Sequence, residues 1–543
     1  ATDSARLFDV FVLSDTSDPD ARTAEVAAWA QLKSDVGGSV QIFYRWRQRR
    51  TRRKAGNVAD FCRRWGRAYR YMVVLDADSV MSGDCLVNMV RMMEANPKTG
   101  IIQTAPQACG LTTLHARSQQ FASRVTGRLF TAGMQYWQLG DSHYWGHNAI
   151  LRVEPFMKHC ALDKLPGRGG LSGEIMSHDF VEAALMRRAG YHVWLVSDLV
   201  GSYEQQPPDL LSELQRDRRW CQGNLQNARL MAEPGLMAVH RGMLATGAMA
   251  YASAPLWLLF VMLGLSIRLL GDSVDQAGLP MAMTGLWAMT GAMLVVPRAL
   301  GVVAVLMKGE QRFFGGVTAL LSSAFIEAVL SVIQAPLRMV AHTTFVLAAL
   351  TGLKLDWKSP PRSAAATGWD HAARRFGPAA IVASIATAVI AWFDPIAALW
   401  LAPMTVPLIL AIPMSVVTSR ADVGEWMMKH KWLTTPEEVW APAVLRQAWA
   451  ETARQVTEPR WLDVLTDSRL AQVVREAMGR RDTSRGLRGE VRQRNLERVV
   501  ERPEGIGSLT AAERMRLLSE PHALEQLGTP EVAENARLAI AGS

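Results

Sequence analysis

Along the first 241 residues, short apolar runs alternate with longer mixed ones. Residues 8–13, 41–44, 71–75 and 101–103 read as strands, and residues 21–33, 57–65 and 85–95 as helices. This rhythm predicts a mostly parallel α/β sheet with its ligand site at the carboxyl ends of the strands. Past Arg241 the pattern changes. Residues 242–267 and 276–297, the second extendable through Arg298 to Met307, are uncharged and exceed the roughly 20 residues that a spanning helix needs. Residues 313–353 are apolar apart from Glu327, Arg338 and His342. They read as two shorter helices, with one span plus an interfacial helix as the alternative. Residues 376–393 and 395–419 flank Asp394 as a tight hairpin. The expectation is five or six spans.

Loop charges favour six, because Lys and Arg are retained on the cytoplasmic side of a membrane. The segment 271–275 and the Asp394 turn carry only acids, whereas 308–312, 354–375 and the tail after Arg420 are rich in Lys and Arg. Six spans put all the basic segments on the side of the first 241 residues; five strand the tail opposite. Over 543 residues the net charge is +9, which suits nucleic acid, anionic lipid and phosphorylated substrates alike. The five cysteines are widely spaced and form no C-x-x-C pair, which argues against a disulfide framework or structural zinc and fits a reducing compartment. No initiating Met or cleavable signal pattern is visible, and the strand at 8–13 opens without preceding neighbours. An N-terminal portion is expected before Ala1.

The candidate chemistry sits just after strands. Tyr71-Met-Val-Val-Leu75 runs into Asp76-Ala-Asp78, and alternate residues of an extended backbone point the same way, so two carboxylates share one side. Such a pair can hold Mg²⁺ or Mn²⁺ against a diphosphate; a turn with capping carboxylates is the plainer account. Asp15 follows the strand at 8–13, where it could accept hydrogen bonds from a uracil or ribose or close an Asx turn before Pro19. Ser177-His178-Asp179 precedes a helical stretch, which would make Asp179 an N-cap by the simplest reading. Arg216-Asp-Arg-Arg219-Trp220 offers cations for a diphosphate beside an aromatic face for a sugar, or else a helix on a membrane surface. The cluster R-W-R-Q-R-R-T-R-R-K at 45–54 could suit nucleic acid, but no recognition fold accompanies it. A solvated loop, anionic lipid or an acidic protein fits it better.

Order strengthens these signals. Asp15, Lys54-Ala-Gly-Asn, Asp76-Ala-Asp78, Trp145-Gly-His147-Asn, Ser177-His-Asp179 and Arg216-x-x-Arg219-Trp220 follow in sequence, and apolar spans begin soon afterwards. The series resembles the inverting, processive family 2 glycosyltransferases of membranes, the group of cellulose and hyaluronan synthases. The wording at 72–83, 143–150, 177–190 and 216–221 resembles its branch that makes osmoregulated periplasmic glucans, and the likeness spans roughly 8–419.

The resemblance implies a cytoplasmic α/β domain of GT-A type at 1–241 and an α-helical transmembrane bundle at 242–419, in a bacterial inner membrane. It further implies a gating-type loop at 354–375, a cytoplasmic helical tail at 420–543, and two more membrane helices and a catalytic strand upstream. UDP-glucose would be the donor, a growing glucan the acceptor, β-1,2 the linkage and Mg²⁺ or Mn²⁺ the cofactor. Residue by residue, Asp15 and Lys54 would hold the nucleotide, and Asp76 and Asp78 the metal on the diphosphate. Asp179 would be the base, Arg219 would stabilise departing UDP, and Trp220, Trp145 and His147 would bind the acceptor. Acyl carrier protein and periplasmic glucan-processing proteins are further implied partners, and nucleic acid is not one. Two positions depart from the wider pattern: His178 replaces an acid in T-E-D, and Arg216 stands where Q-x-x-R-W has glutamine. Acceptor contacts patterned on cellulose synthase are therefore in doubt. A related synthase making another polysaccharide, and a transporter without transfer activity, are the competing readings; the transporter leaves the ordered carboxylates unexplained. Glu327, Arg338 and His342 are expected to face a wet path for the polymer, the plainer account being that they only bind neighbouring helices together.

Overall fold

The computed structural model describes residues 5–38, 40–270, 279–352, 366–454, 458–478, four positions between 487 and 494, and 509–520. Two compact units divide the chain, one formed by Ala1–Arg67 with Thr452–Ser543 and the other by Ala68–Glu451. These cuts fall away from the expected boundaries at 241 and 419.

In the first unit, β1 (Asp9–Ser14) pairs in parallel with β2 (Gln41–Trp46). A parallel pair needs a crossover, and α1 (Pro19–Val36) supplies it. Its start is set by Asp18, which accepts from Asp20 N, and by Pro19 in the first turn; Gly37 ends it in the left-handed conformation. α2 (Arg53–Trp65) follows β2. Strand alternation assigns the faces. Ile42 packs with Val26 and Trp29 of α1, while Phe43 stacks on Phe11, which meets Phe61 and Trp65 of α2. The tail completes this unit: Trp461, Val464, Leu465, Leu470, Val474, Leu509 and Leu517 join the core of Val26, Trp29 and Ile42.

The second unit holds a four-stranded sheet in the order β3 (Tyr71–Val74), β7 (Ala149–Arg152), β5 (Thr99–Thr104), β8 (His192–Val196). A small sheet orders β4 (Val80–Met81), β9 (Ser202–Glu204) and β6 (Gln107–Ala108). The larger sheet is mixed rather than mostly parallel, because β7 runs antiparallel to both β3 and β5. The chain reaches β7 from the carboxyl end of those strands, after an excursion through α4 (Leu114–Ala122), a π-helix (Ser123–Gly127) and α5 (Arg128–Gln138). It can only run back. α3 (Gly83–Ala95) covers the sheet, with Met89 and Met93 packed on Ile102 and Ile150. α6 (Val153–His159), α7 (His178–Arg188) and α8 (Leu210–Ala228) complete the α/β half of this unit.

Beyond α8 come α9 (Ala238–Leu270), α10 (Leu279–Met307), α11 (Val317–Thr351) and α12 (Trp369–Phe393). Among the described residues these are the four helices long and apolar enough to cross a membrane. α13 (Pro395–Ile409) and α14 (Ala411–Thr418), bent by 53°, make a fifth if taken as one span. The stretch read as two helices is one continuous helix, α11. Pro336 is accommodated inside it, and the two-helix reading of 313–353 fails. The acidic loop at 271–275 and most of the gating-type loop, 354–365, lie outside the described residues.

Candidate active site

Sheet register brings the motifs of the second unit together. Ala149, the first residue of β7, pairs with Val74 at the end of β3 and with Gln103 near the end of β5. The antiparallel strand therefore delivers Trp145, His147 and Asn148 to the edge where Asp76 and Asp78 emerge. Gly146 and Asn148 both take left-handed backbone there, with φ of 86° and 50°. Glycine does so freely and asparagine at modest cost, and strain of this kind persists only where partners hold it. The partners are present. Gln103 accepts from Trp145 N at 2.8 Å and donates to His147 O at 3.0 Å; Thr104 Oγ1 donates to Asn148 O at 2.7 Å; Asn148 Nδ2 donates to Ser202 Oγ at 2.8 Å.

Asp76 and Asp78 sit in the turn from β3 to β4, closed by a hydrogen bond from Ser79 N to Asp76 O. Asp78 is exposed, and among the described residues its carboxylate has no partner in the chain. Hard carboxylate oxygens fit a divalent cation that keeps water and diphosphate as its other ligands. Among the described residues no group of three or more His, Cys, Asp or Glu could hold a metal, so the protein would contribute these two carboxylates.

Asp179 lies in the first turn of α7, whose N-cap is Ser177. The capping role is therefore not its own, and among the described residues its carboxylate accepts no hydrogen bond. Tyr144 ties it to the aspartate pair. Burial pushes this phenol's pKa well above its ordinary value, and the charges of Glu182, Asp179 and Asp76 push it further. The charges of Asp76 and Asp179 thus both act on this one buried phenol.

α8 is anchored to the same turn. Gln226 accepts from Met176 N at 3.1 Å and Asn227 Nδ2 donates to Ser177 O at 2.9 Å. Gly223 permits the approach, since a Cβ there would lie 2.2 Å from Ser177 Oγ. On another face of α8 the Arg216 guanidinium stacks over the half-exposed Trp220 ring at 4.3 Å. Arg219 lies on this helix, partly buried. Of the expected departures, His178 spends its ring on Glu182 at 3.1 Å, and Arg216 reaches Gln206 at 3.0 Å.

A face of α8 buried under α11 and α4 carries an ion network. Glu213 accepts from Arg338 Nε at 2.8 Å and Nη2 at 2.9 Å and stands 3.0 Å from His115 Nε2; His342 Nε2 is 3.1 Å from Asp217. Burial alone would raise the Glu213 carboxyl's pKa, but the hydrogen bonds from His115 and Arg338 hold it well below the ordinary carboxylate range. Glu327 pairs with Arg298 at 2.7 Å. Glu327, Arg338 and His342 are therefore spent on neighbouring helices, which corrects the expectation that they face a wet path.

In the first unit, Asp15 accepts from Arg47 Nε at 2.9 Å and Nη2 at 2.5 Å, so both its oxygens are engaged. Lys54 stands in the first turn of α2. Arg45 and Arg47 are buried, Arg45 against Asp60 and Asn57, so part of the basic cluster is internal rather than a solvated loop.

Glu204, Gln206, Gln103 and Thr104 escaped the sequence reading. Glu204 follows a strand, as a site residue should, but that strand is three residues long and leaves no apolar run to see. Burial raises the Glu204 carboxyl's pKa, His147 and Arg216 oppose the rise, and Asp78 and Asp76 add to it, so it shares their field.

The sequence model of Glycosyl transferase family group 2 matches residues 71–296, a stretch that contains every site element of the second unit. Glucans biosynthesis glucosyltransferase H of Cupriavidus pinatubonensis is 47% identical over 551 residues, covering 98% of this chain and 63% of that protein. The protein of the same name from Ralstonia nicotianae is 48% identical over 538 residues, covering 96% and 62%, and that from Pseudomonas aeruginosa PAO1 47% identical over 551, covering 97% and 63%. The chain thus spans a little under two thirds of the length of these relatives. Residues 71–296 match the Glycosyl transferase family group 2 model, in a chain that is similar along nearly its whole length to glucans biosynthesis glucosyltransferase H.

Proposed function

We propose that the protein is an inverting glucosyltransferase that moves glucose from UDP-glucose to a growing β-1,2-linked glucan. The observation that carries the reading is the strand register that brings Trp145, His147 and Asn148 to the edge where Asp76 and Asp78 emerge, with α8 anchored on the Ser177–Asp179 turn. In this reading Asp179 takes the proton of an acceptor hydroxyl as the acceptor oxygen bonds to the anomeric carbon. The bond from that carbon to the diphosphate breaks on the opposite face, and UDP departs. A positioned base contributes about 10² to 10⁴ in rate. Trp220 offers its ring to a sugar face, Arg219 stabilises the leaving diphosphate, and Trp145 and His147 line the acceptor side. Asp76 and Asp78 would hold Mg²⁺ or Mn²⁺, which when bound neutralises diphosphate charge. Asp15 and Lys54 are assigned to the nucleotide. The catalytic half would be cytoplasmic, the helices in a bacterial inner membrane, and the polymer exported by the same chain.

Purified protein given a panel of UDP-sugars is expected to release UDP only from UDP-glucose and to yield a β-1,2-linked glucan by linkage analysis. Release of no UDP from any donor would sink the reading. In sealed vesicles with the catalytic half outward, product protected from added glucanase is expected; fully digestible product means that export needs another protein.

A further inference from the structure

Two acceptor-side segments that lie far apart in sequence are joined through residues that no motif singles out. Glu204, at the end of β9, has one carboxylate oxygen 3.5 Å from His147 Nε2, while the other accepts from Gln206 Nε2 at 2.7 Å. Gln206 Oε1 accepts from Arg216 Nη1 at 3.0 Å, and the Arg216 guanidinium covers Trp220. At the opposite end His147 Nδ1 is 3.1 Å from Asn148 Oδ1. One line therefore runs from Asn148 through His147, Glu204, Gln206 and Arg216 to Trp220. The antiparallel pairing of Val80 with Tyr203 sets Glu204 abreast of the residues just before β4, beside Asp78.

Each link needs the group it has. A carboxylate offers two acceptor oxygens, so it can take the imidazole on one side and the Gln206 amide on the other; a glutamine at 204 would present N–H on one of those sides. Gln206 then uses its amide both ways, donating to Glu204 and accepting from Arg216. Arginine on a flexible stem points usefully only when its planar fork is held. The Trp220 ring, half exposed on α8, is fixed in turn by the guanidinium stacked on it.

We infer that Glu204 is a positioning residue for transfer, holding His147 and, through Gln206, the Arg216–Trp220 pair in one acceptor-binding arrangement. The inference rests on the glycosyltransferase reading for what the arrangement binds: a sugar whose apolar face lies on Trp220 and whose hydroxyls meet the polar line.

The test combines Glu204→Gln, Gln206→Ala, His147→Ala and the Glu204→Gln/His147→Ala double variant of the full chain. Glu204→Gln is expected to keep UDP affinity and the KM for UDP-glucose while kcat falls on the order of 10²-fold, the scale of a misplaced acceptor. The double variant should lose no more than the worse single, and Glu204→Asp should recover part of the rate. Gln206→Ala breaks only the Arg216 arm and should show a smaller loss of the same kind, which keeps the test open should Glu204→Gln not fold. Wild-type kinetics in Glu204→Gln or Gln206→Ala, a loss confined to KM, or losses that multiply in the double variant would overturn the inference. Melting temperatures of the same proteins read the contact without turnover: shifts at 147 and 204 should be non-additive, and additive shifts overturn it. A wild-type protein that releases no UDP sinks the parent reading instead.

Discussion

Asp179 is a carboxylate that the fold leaves unspent at the start of a helix, among side chains that are nearly all engaged. Asp179→Asn removes the basic oxygen while keeping shape, so it should retain UDP binding by titration calorimetry and lose transfer by about 10² to 10⁴ in initial rate. Unchanged turnover would move the base elsewhere. Asp179 could be singled out from the sequence because it stands within a recognisable run of residues at the start of a helix, whatever its role. Glu204 and Glu213 could not. Each acquires its meaning from a partner far along the chain, Glu204 from His147 and Glu213 from Arg338, and no local pattern announces a pairing across 57 or 125 residues. The misreading of Arg338 and His342 has the same origin. An ionisable residue in an apolar stretch signals that something polar faces it, and here that is the carboxylate pair of α8 rather than a path.

At the scale of elements, α11 is the instructive case, because length and hydropathy make it a candidate span while its neighbours argue otherwise. Arg268 at the end of α9 pairs with Asp394, between α12 and α13, at 2.7 Å, so those ends share one side of any membrane. At the other side α9 sets Gly247 against Asn224 of α8, α10 sets Gly301 against the Val125 carbonyl of the π-helix, and Thr367, just before α12, donates to Ser419 at the end of the bent pair. α11 begins after α10 and ends before α12, both on this catalytic side. With α9, α10, α12 and the bent pair crossing, four crossings keep every basic segment together without a sixth span. Along its length of about 52 Å, α11 meets residues outside the other apolar helices throughout: Ser323 bonds Leu433, Gln334 lies at His115, Arg338 at Glu213, His342 at Asp217, and Ala349 against Gly170. Its outward face is Leu321, Phe325, Val329, Val332, Leu347 and Leu350, apolar and exposed, as suits a helix lying in a lipid interface. The prediction is that cysteines placed at Thr318 and Thr351 are both labelled by an impermeant maleimide from the catalytic side of sealed vesicles. Labelling from opposite sides would make α11 a span. Background should be low, since all five native cysteines are buried and burial pushes the Cys85 thiol up to about 11.

For the whole molecule, hydropathy and charge foretold an α/β part, though not its mixed sheet, a membrane part and a charged tail, but not what the tail is for. Its segments at 468–478 and 511–518 advertise apolar faces, Leu470 with Val474 and then Met515 with Leu518. A periodic face says that something covers it without saying what, and the answer here stands more than 400 residues earlier in the chain. Trp461 N donates to Asp20 at 2.8 Å and Arg22 donates to Ser519 at 2.7 Å, with Val26, Trp29 and Ile42 buried between. The first and last segments thus make one core around β1 and β2, a two-stranded pair that would be marginal by itself. Trp461 is almost fully buried there, so Trp461→Ala should destabilise this unit by about 3–5 kcal/mol, the range for an aromatic removed from a packed core. Hydrogen exchange measured on the full chain should show faster exchange across α1 and β2, with protection of β3, β5 and β7 unchanged, because those strands belong to the other unit. Equal protection of α1 in variant and wild type would show that the tail merely rests on the first unit, whereas loss of protection in both units would show that the two fold as one.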